Sequence, residues 1–130
     1  MRRAMKSAGL APDDVDCVSA HGTGTPKNDV TETTAIKEVL GARAYKVPVH
    51  AVKSMTGHMI AASGAAEAAA AALTLSRQMV PPTVNLERPD PMCDLDYVPA
   101  CARPFDGDTV LSNSFGFGGQ NATLILGRSQ

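Results

Sequence analysis

The chain has 130 residues, 44% hydrophobic and 19% charged, which suits one compact unit with a modest core and excludes a disordered or fibrous chain. Twelve basic and thirteen acidic side chains leave a formal charge of −1, so there is no basic footprint for nucleic acid and no cationic helix for a membrane surface. With three Phe, two Tyr and no Trp, packing must rest on Ala, Val, Leu, Ile and Met.

Arg2 to Ala8 predicts a short helix closed by Gly9, where a C-terminal glycine cap belongs. The basic start MRRAMKSAGL is not followed by an apolar segment, so it does not read as a secretory signal. Pro12-Asp13-Asp14 predicts a turn, and Val15 to Ala20 a strand that delivers His21-Gly22-Thr23-Gly24-Thr25-Pro26 at its end. Asp29-Val30-Thr31-Glu32 has capping-box spacing and predicts a helix start, with the helix running to Leu40 and stopping at Gly41.

A second strand is expected over Pro48 to Val52, ending in Lys53-Ser54-Met55-Thr56-Gly57-His58. Met59 to Arg77 then predicts a helix dominated by alanine, buried by close approach of its backbone to neighbours. Its apolar stretch, Met59 to Leu75, is interrupted by Ser63, Gly64 and Glu67 and is short for a bilayer span. Val80-Pro81-Pro82-Thr83 ends the helix, and irregular chain follows with a short strand near Leu95 to Val98. Thr109 to Ser114 and Asn121 to Leu126 predict two strands joined by Phe115-Gly116-Phe117-Gly118-Gly119-Gln120. The pattern is that of one α/β unit with no internal repeat.

Polar groups therefore collect at three strand ends, around His21, around Lys53 to His58, and around Asn113 to Asn121. That is where sites form in α/β folds. Taken singly, each cluster reads as ordinary structure. Several sharper readings fail. Lys27 and Asn121 stand where a dinucleotide fingerprint needs its third glycine, and no Gly-Lys-Ser/Thr makes a P-loop. No G-x-S-x-G elbow exists, and the histidines have no carboxylate or thiolate at zinc spacing. Glu67 sits among Ala and Gly. Read from its helix alone it faces solvent, and if buried its natural partner is Lys53 at the preceding strand end.

Cys17, Cys93 and Cys101 form no metal-ligand spacing, and their odd number fits reduced thiols in a cytosolic protein. Cys17 reads as a small core residue, and the other two as structural residues of the Pro-rich region.

Together, HGTGTPKND (His21 to Asp29), KSMTGH (Lys53 to His58), Glu67 and NSFGFGGQN (Asn113 to Asn121) resemble the motifs of β-ketoacyl-[acyl-carrier-protein] synthases, in order and in spacing. PPTVNLERPD and CDLDYVP match as well, so the resemblance spans essentially the whole chain. KSMTGH in place of KSNIGH points to the discrete enzymes of fatty acid and type II polyketide pathways. Both histidines are present, unlike in most chain-length-factor partners.

The resemblance implies an α/β, thiolase-like fold of α-β-α-β-α layers with a mixed sheet packed by helices. Residues 1–130 would supply its second half, without the half carrying the cysteine nucleophile. None of the three cysteines here stands in the nucleophile's Ala-Cys-Ser/Thr context. The implied chemistry is decarboxylative condensation of an acyl thioester with malonyl-acyl carrier protein. His21 and His58 would stabilise the enolate oxyanion, and Lys53 with Glu67 would orient His58 and set its protonation. The Phe117 N–H would help form an acyl oxyanion hole, with its ring as a gate, and Phe115, Gly116 and Gly118 would shape that loop. Thr23 and Thr25 would bond the phosphopantetheine arm, which the carrier protein brings, so no cofactor of the chain's own is implied.

The expected partners are a cysteine-bearing N-terminal half, an acyl carrier protein, and a second ketosynthase or chain-length-factor subunit. The alternatives are a non-catalytic dimerising or carrier-binding subunit and a decarboxylase using the histidines alone. Alone, the chain is expected to be inactive, to expose a large apolar patch and to self-associate.

Overall fold

The computed structural model describes residues 1–129. Helix α1 (Arg2–Ala8) closes at Gly9, whose N–H bonds the Lys6 carbonyl while Leu10 N–H bonds that of Met5. A 3₁₀ turn at Pro12–Asp14 leads to strand β1 (Cys17–Ser19), and helix α2 (Pro26–Leu40) follows and stops at Gly41. Strand β2 (Val49–His50) runs into the one-turn helix α3 (Lys53–Thr56), and helix α4 (Ser63–Arg77) comes after a 3₁₀ turn at Ile60–Ala62. Strands β3 (Met79–Val80) and β4 (Arg103–Pro104) pair antiparallel. Strands β5 (Thr109–Phe115) and β6 (Asn121–Gly127) form a hairpin.

The sheet order is β2-β1-β5-β6, with β1 parallel to β2 and β5 and only β6 antiparallel. Alternation along the strands gives the sheet two packed faces. On one, Val18, Ala20, Val49 and Leu111 meet Met5, Ile36 and Leu40 of α1 and α2. On the other, Cys17 and Val110 meet Ala71 and Leu75 of α4, with Val80, Val98 and Phe105 completing the layer. Helices thus cover both faces of a mixed sheet, the expected fold class. The close approach expected of the small-residue helix is real, since a Cβ at Gly64 would lie 3.1 Å from Ser114 Oγ.

Several local expectations are corrected. Helix α2 starts at Pro26, three residues before Asp29, because proline suits the first helical position and Thr25 Oγ1 caps the turn by accepting from Asn28 N–H. Asp29 instead accepts from Gly24 N–H, and Glu32 takes no part in a capping box. Helix α4 starts at Ser63 rather than Met59, since Ile60 has a φ of 49°. No strand forms over Leu95 to Val98, where Val98 has a φ of 49°. That segment still supports the fold through two carbonyls, Asp96 accepting from Val49 N–H and Val98 from Thr83 N–H. The β3–β4 pair was not expected. Two residues per strand are too short to carry a period-2 signature.

Helix α4 is buried on one side only, through Ser63, Glu67, Ala71, Thr74 and Leu75. Leu73 on its other side is 56% exposed and Ile60 before it 77% exposed. Among the described residues no helix is long and apolar enough to cross a membrane.

Candidate functional site

Strands β1 and β2 run parallel, so the residues following them emerge at the same end of the sheet. His21, two residues past β1, is 6% exposed. Gly22 turns the chain with a φ of 45°, and a Cβ there would lie 2.5 Å from Ala51 Cβ. Lys53 opens α3 just beyond β2. Its ammonium donates to the His21 carbonyl at 2.7 Å and lies 3.2 Å from His21 Nδ1.

The same ammonium forms an ion pair with Glu67, whose other oxygen accepts from Ser114 Oγ at 3.2 Å. Glu67 is 1% exposed, so the solvent-facing reading of this residue fails. One helix face brings the carboxylate to the sheet, and the ion pair satisfies it there. Among the described residues the Lys53 ammonium bonds His21, whereas the resemblance implied that the pair orients His58. Burial, then the Lys53 charge and then His58 push His21 down to about 4, so its imidazole is neutral near pH 7.

His58 lies exposed in the loop after α3. Its Nδ1 accepts from Ile60 N–H at 3.1 Å and is 3.1 Å from Ser63 Oγ. The two imidazoles meet edge to face, with centroids 5.6 Å apart and planes at 85°, and Phe115 flanks His21 at 5.6 Å. A backbone N–H and an ammonium can only donate, so both Nδ1 atoms act as acceptors. With Nδ1 accepting, the ring N–H of each imidazole sits on Nε2. The chain thus presents two neighbouring Nε2–H donors, suited to a developing oxyanion.

The remaining predicted residues frame this pair. Phe115 ends β5, and Gly116 N–H bonds the Gln120 carbonyl at 2.9 Å to close the loop. Within that loop Phe117 is fully exposed and Gly118 has a φ of 77°, so the Phe117 ring does not join the histidines. Thr23 and Thr25 hydroxyls lie 3.0 Å apart on the wall of a cavity of about 510 Å³, which Lys53, His58, Cys93 and Tyr97 also line. Thr25 doubles as the cap of α2.

Two residues escaped the sequence reading. Glu32, 3% exposed, accepts from His21 N–H at 2.9 Å, Gly22 N–H at 3.0 Å, Asn113 Nδ2 at 3.0 Å and Asn28 Nδ2 at 3.3 Å. Burial pushes this carboxyl up, while those bonds hold it down. Asn113 is fully buried on β5, next to Leu111 on the face that α2 covers. The signal was available, because Glu32, Ile36 and Leu40 recur every four residues and share the buried stripe of α2.

Cys17 is fully buried and burial pushes it up to about 12, as a core residue. Cys93 is half-buried at the cavity and Cys101 is exposed, both as free thiols. Among the described residues no group of three or more His, Cys, Asp or Glu is placed to hold a metal ion.

Residues 1–87 match the family Beta-ketoacyl synthase, C-terminal domain. The chain is 54% identical over 127 residues to 3-oxoacyl-[acyl-carrier-protein] synthase 2 of Synechocystis sp., covering 98% of this chain and 30% of the relative. It is 50% identical over 125 residues to the tetracenomycin polyketide synthase ketoacyl synthase alpha subunit of Streptomyces glaucescens, covering 96% and 29%. Among solved structures it matches a type II PKS acyl-carrier protein in complex with its ketosynthase bound to the hexaketide. That likeness has a TM-score of 0.96 at 41% identity, over 99% of this chain and 32% of the other. The ishigamide ketosynthase/chain length factor gives 0.95 at 43% identity, over 99% and 32%. The chain therefore spans about 30% of the length of the curated relatives it matches. Motifs, fold and relatives agree that this chain belongs to the β-ketoacyl synthase family, as its C-terminal domain, with a thiolase-like ketosynthase fold.

Proposed function

We propose that residues 1–130 form the histidine-bearing domain of a β-ketoacyl-[acyl-carrier-protein] synthase acting in fatty acid or polyketide biosynthesis. The observation that carries this reading is the edge-to-face pair His21 and His58, each with Nδ1 occupied as an acceptor and Nε2–H left free to donate. In the reaction, an acyl group moves from its carrier thioester to a cysteine thiolate supplied by an N-terminal half. Malonyl thioester then loses CO2, and the electron pair of the broken C–C bond passes to an enolate. The enolate carbon attacks the acyl-cysteine carbonyl, a new C–C bond forms, and the thiolate leaves.

His21 and His58 stabilise the enolate oxyanion in this scheme. A neutral imidazole suits the task, since it donates a hydrogen bond without surrendering its proton. Lys53 and Glu67 hold His21, while Ile60 and Ser63 hold His58. Phe117 contributes its backbone N–H to an acyl oxyanion hole, with its exposed ring as a gate between the flanking glycines. Thr23 and Thr25, on the cavity wall, bond the phosphopantetheine arm of an acyl carrier protein. A second ketosynthase or chain-length-factor subunit completes the assembly, as the names of the structural relatives suggest. Alone, the chain is inactive.

The test measures malonyl-carrier-protein decarboxylation and acyl condensation by this chain, with and without a co-expressed cysteine-bearing half. Activity confined to the mixture, and lost in His21→Ala or His58→Ala, supports the proposal. A stable complex without activity overturns it and leaves a carrier-binding or dimerising subunit.

A further inference from the structure

Glu32 is the buried charge that the scheme above does not use. Four N–H donors converge on its two oxygens, His21 N and Asn113 Nδ2 on Oε1, Gly22 N and Asn28 Nδ2 on Oε2. None of these donors can accept, so the position calls for a group that only accepts at both ends, which is a carboxylate. A glutamine amide would turn its NH2 toward two of these donors and lose their bonds.

The His21 peptide is thereby held on two sides by groups of opposite charge. Glu32 of α2 takes its N–H, and Lys53 of α3 donates to its carbonyl and approaches Nδ1. Gly22 adds a steric limit, because a Cβ there would lie 2.5 Å from Ala51 Cβ. Such a turn has little freedom to drift, and the imidazole it carries is aimed accordingly.

Glu32 is itself held from the sheet. Asn113 can point its NH2 at Glu32 because its Oδ1 accepts from Thr123 Oγ1 at 3.0 Å. Asn113 and Thr123 face each other across the β5–β6 ladder, two positions before the pair Phe115 and Asn121 that closes the Phe117 loop. A continuous set of hydrogen bonds thus runs from β6 through β5 and α2 to the His21 backbone.

We propose that Glu32 is a positioning residue for His21, tied through Asn113 and Thr123 to the β5–β6 hairpin, so that the strands flanking Phe117 and the His21 imidazole are held as one unit. What His21 does rests on the ketosynthase reading, whereas the bonding network belongs to the chain whatever its reaction.

The test compares the parent chain with Glu32→Gln and Thr123→Val by amide hydrogen exchange and by ¹⁵N NMR of the His21 ring. It uses the complex with a cysteine-bearing half where one assembles, and the chain itself otherwise. In Glu32→Gln, exchange at His21 and Gly22 accelerates by roughly tenfold or more while α4 amides keep their parent rates. The ring signal shifts from the Nε2–H tautomer toward a tautomer average. Thr123→Val gives a smaller acceleration at the same two amides. In an active complex, kcat falls by about 10–10² while KM for the carrier substrate changes little.

Parent-like exchange and ring signal in Glu32→Gln would overturn the positioning role. Parent-like exchange at His21 and Gly22 in Thr123→Val overturns the link to the hairpin. If Glu32→Gln unfolds the chain, Thr123→Val decides on the same two amides. A complex that is inactive yet shows the predicted exchange pattern sinks the ketosynthase reading and leaves this inference standing.

Discussion

Lys53 bridges Glu67 and His21, pairing its ammonium with the buried carboxylate while donating to the carbonyl of the histidine. The three residues come from α3, α4 and the end of β1, so this one cation joins three elements at one end of the sheet. Glu67 keeps a second bond from Ser114, but no other cation pairs with it among the described residues. Removing Lys53 alone should therefore leave a buried carboxylate with no counter-charge. Lys53→Met is expected to destabilise the fold by about 3–5 kcal/mol in equilibrium unfolding. Adding Glu67→Leu should recover much of that loss. A single variant as stable as the parent would show that the pair does not hold this junction.

The two histidines held well below their usual range should contribute to the acid limb of stability. Burial alone pushes His50 down to about 4, and it is fully buried with both ring nitrogens lacking a protein partner. His21 reaches about 4 through burial, the Lys53 charge and His58. Each takes up its proton more readily in the unfolded chain, where the pKa is about 6.5. Stability is thus fully present above about pH 6.5 and falls as pH drops toward 4. Below that both states are protonated and the slope vanishes. His50→Leu should flatten this acid limb without changing the neutral plateau's pH dependence, as read from denaturation midpoints at pH 7 and 5. An unchanged limb would mean that His50 is solvated or paired in solution.

How much of this was legible follows from where each signal lies. His21, His58, Lys53 and the Phe117 loop sit in contiguous strings at strand ends, so their motifs could be read directly. Fold class followed from the alternation of strand and helix patterns, and from turn residues such as Gly9 and Gly41. The direction of the Lys53 bonds was not legible, because nothing in KSMTGH says which of two neighbouring imidazoles lies nearer the ammonium. Glu32 and Asn113 were hidden because their partners are distant in sequence. A carboxylate facing four backbone and amide donors looks, in one dimension, like half of a capping box. The start of α2 was misplaced for the same reason, since Thr25 and Asp29 are both good caps and only Pro26 separates them as candidates.

The exposed side of α4 and its approach should make the isolated chain adhesive. Ile60 and Leu73 there, and Leu124 on β6, are large apolar residues more than half exposed. In sedimentation the chain alone is expected to populate dimers and larger species, and Leu73→Lys should shift it toward monomer. If the same face receives a cysteine-bearing half, Leu73→Lys also weakens that complex. A parent chain that sediments as a single monomer over a wide concentration range would contradict the first expectation.

Two separate costs arise at the glycines flanking Thr23. Gly22 and Gly24 both have positive φ, at 45° and 70°, a conformation that costs an alanine roughly 1 kcal/mol. Their surroundings differ. A Cβ at Gly24 meets no atom within 4 Å, whereas one at Gly22 would lie 2.5 Å from Ala51 Cβ. That contact forces either the His21 turn or the start of α3 to move. Gly24→Ala should therefore cost about 1 kcal/mol in thermal unfolding and leave the site intact. Gly22→Ala should cost about 2–3 kcal/mol and displace the His21 ring, seen as loss of its upfield or downfield ring-current shift against His58 and Phe115. Equal effects at the two positions would mean that the turn relaxes freely, and that the packing of Gly22 on Ala51 does not aim the imidazole.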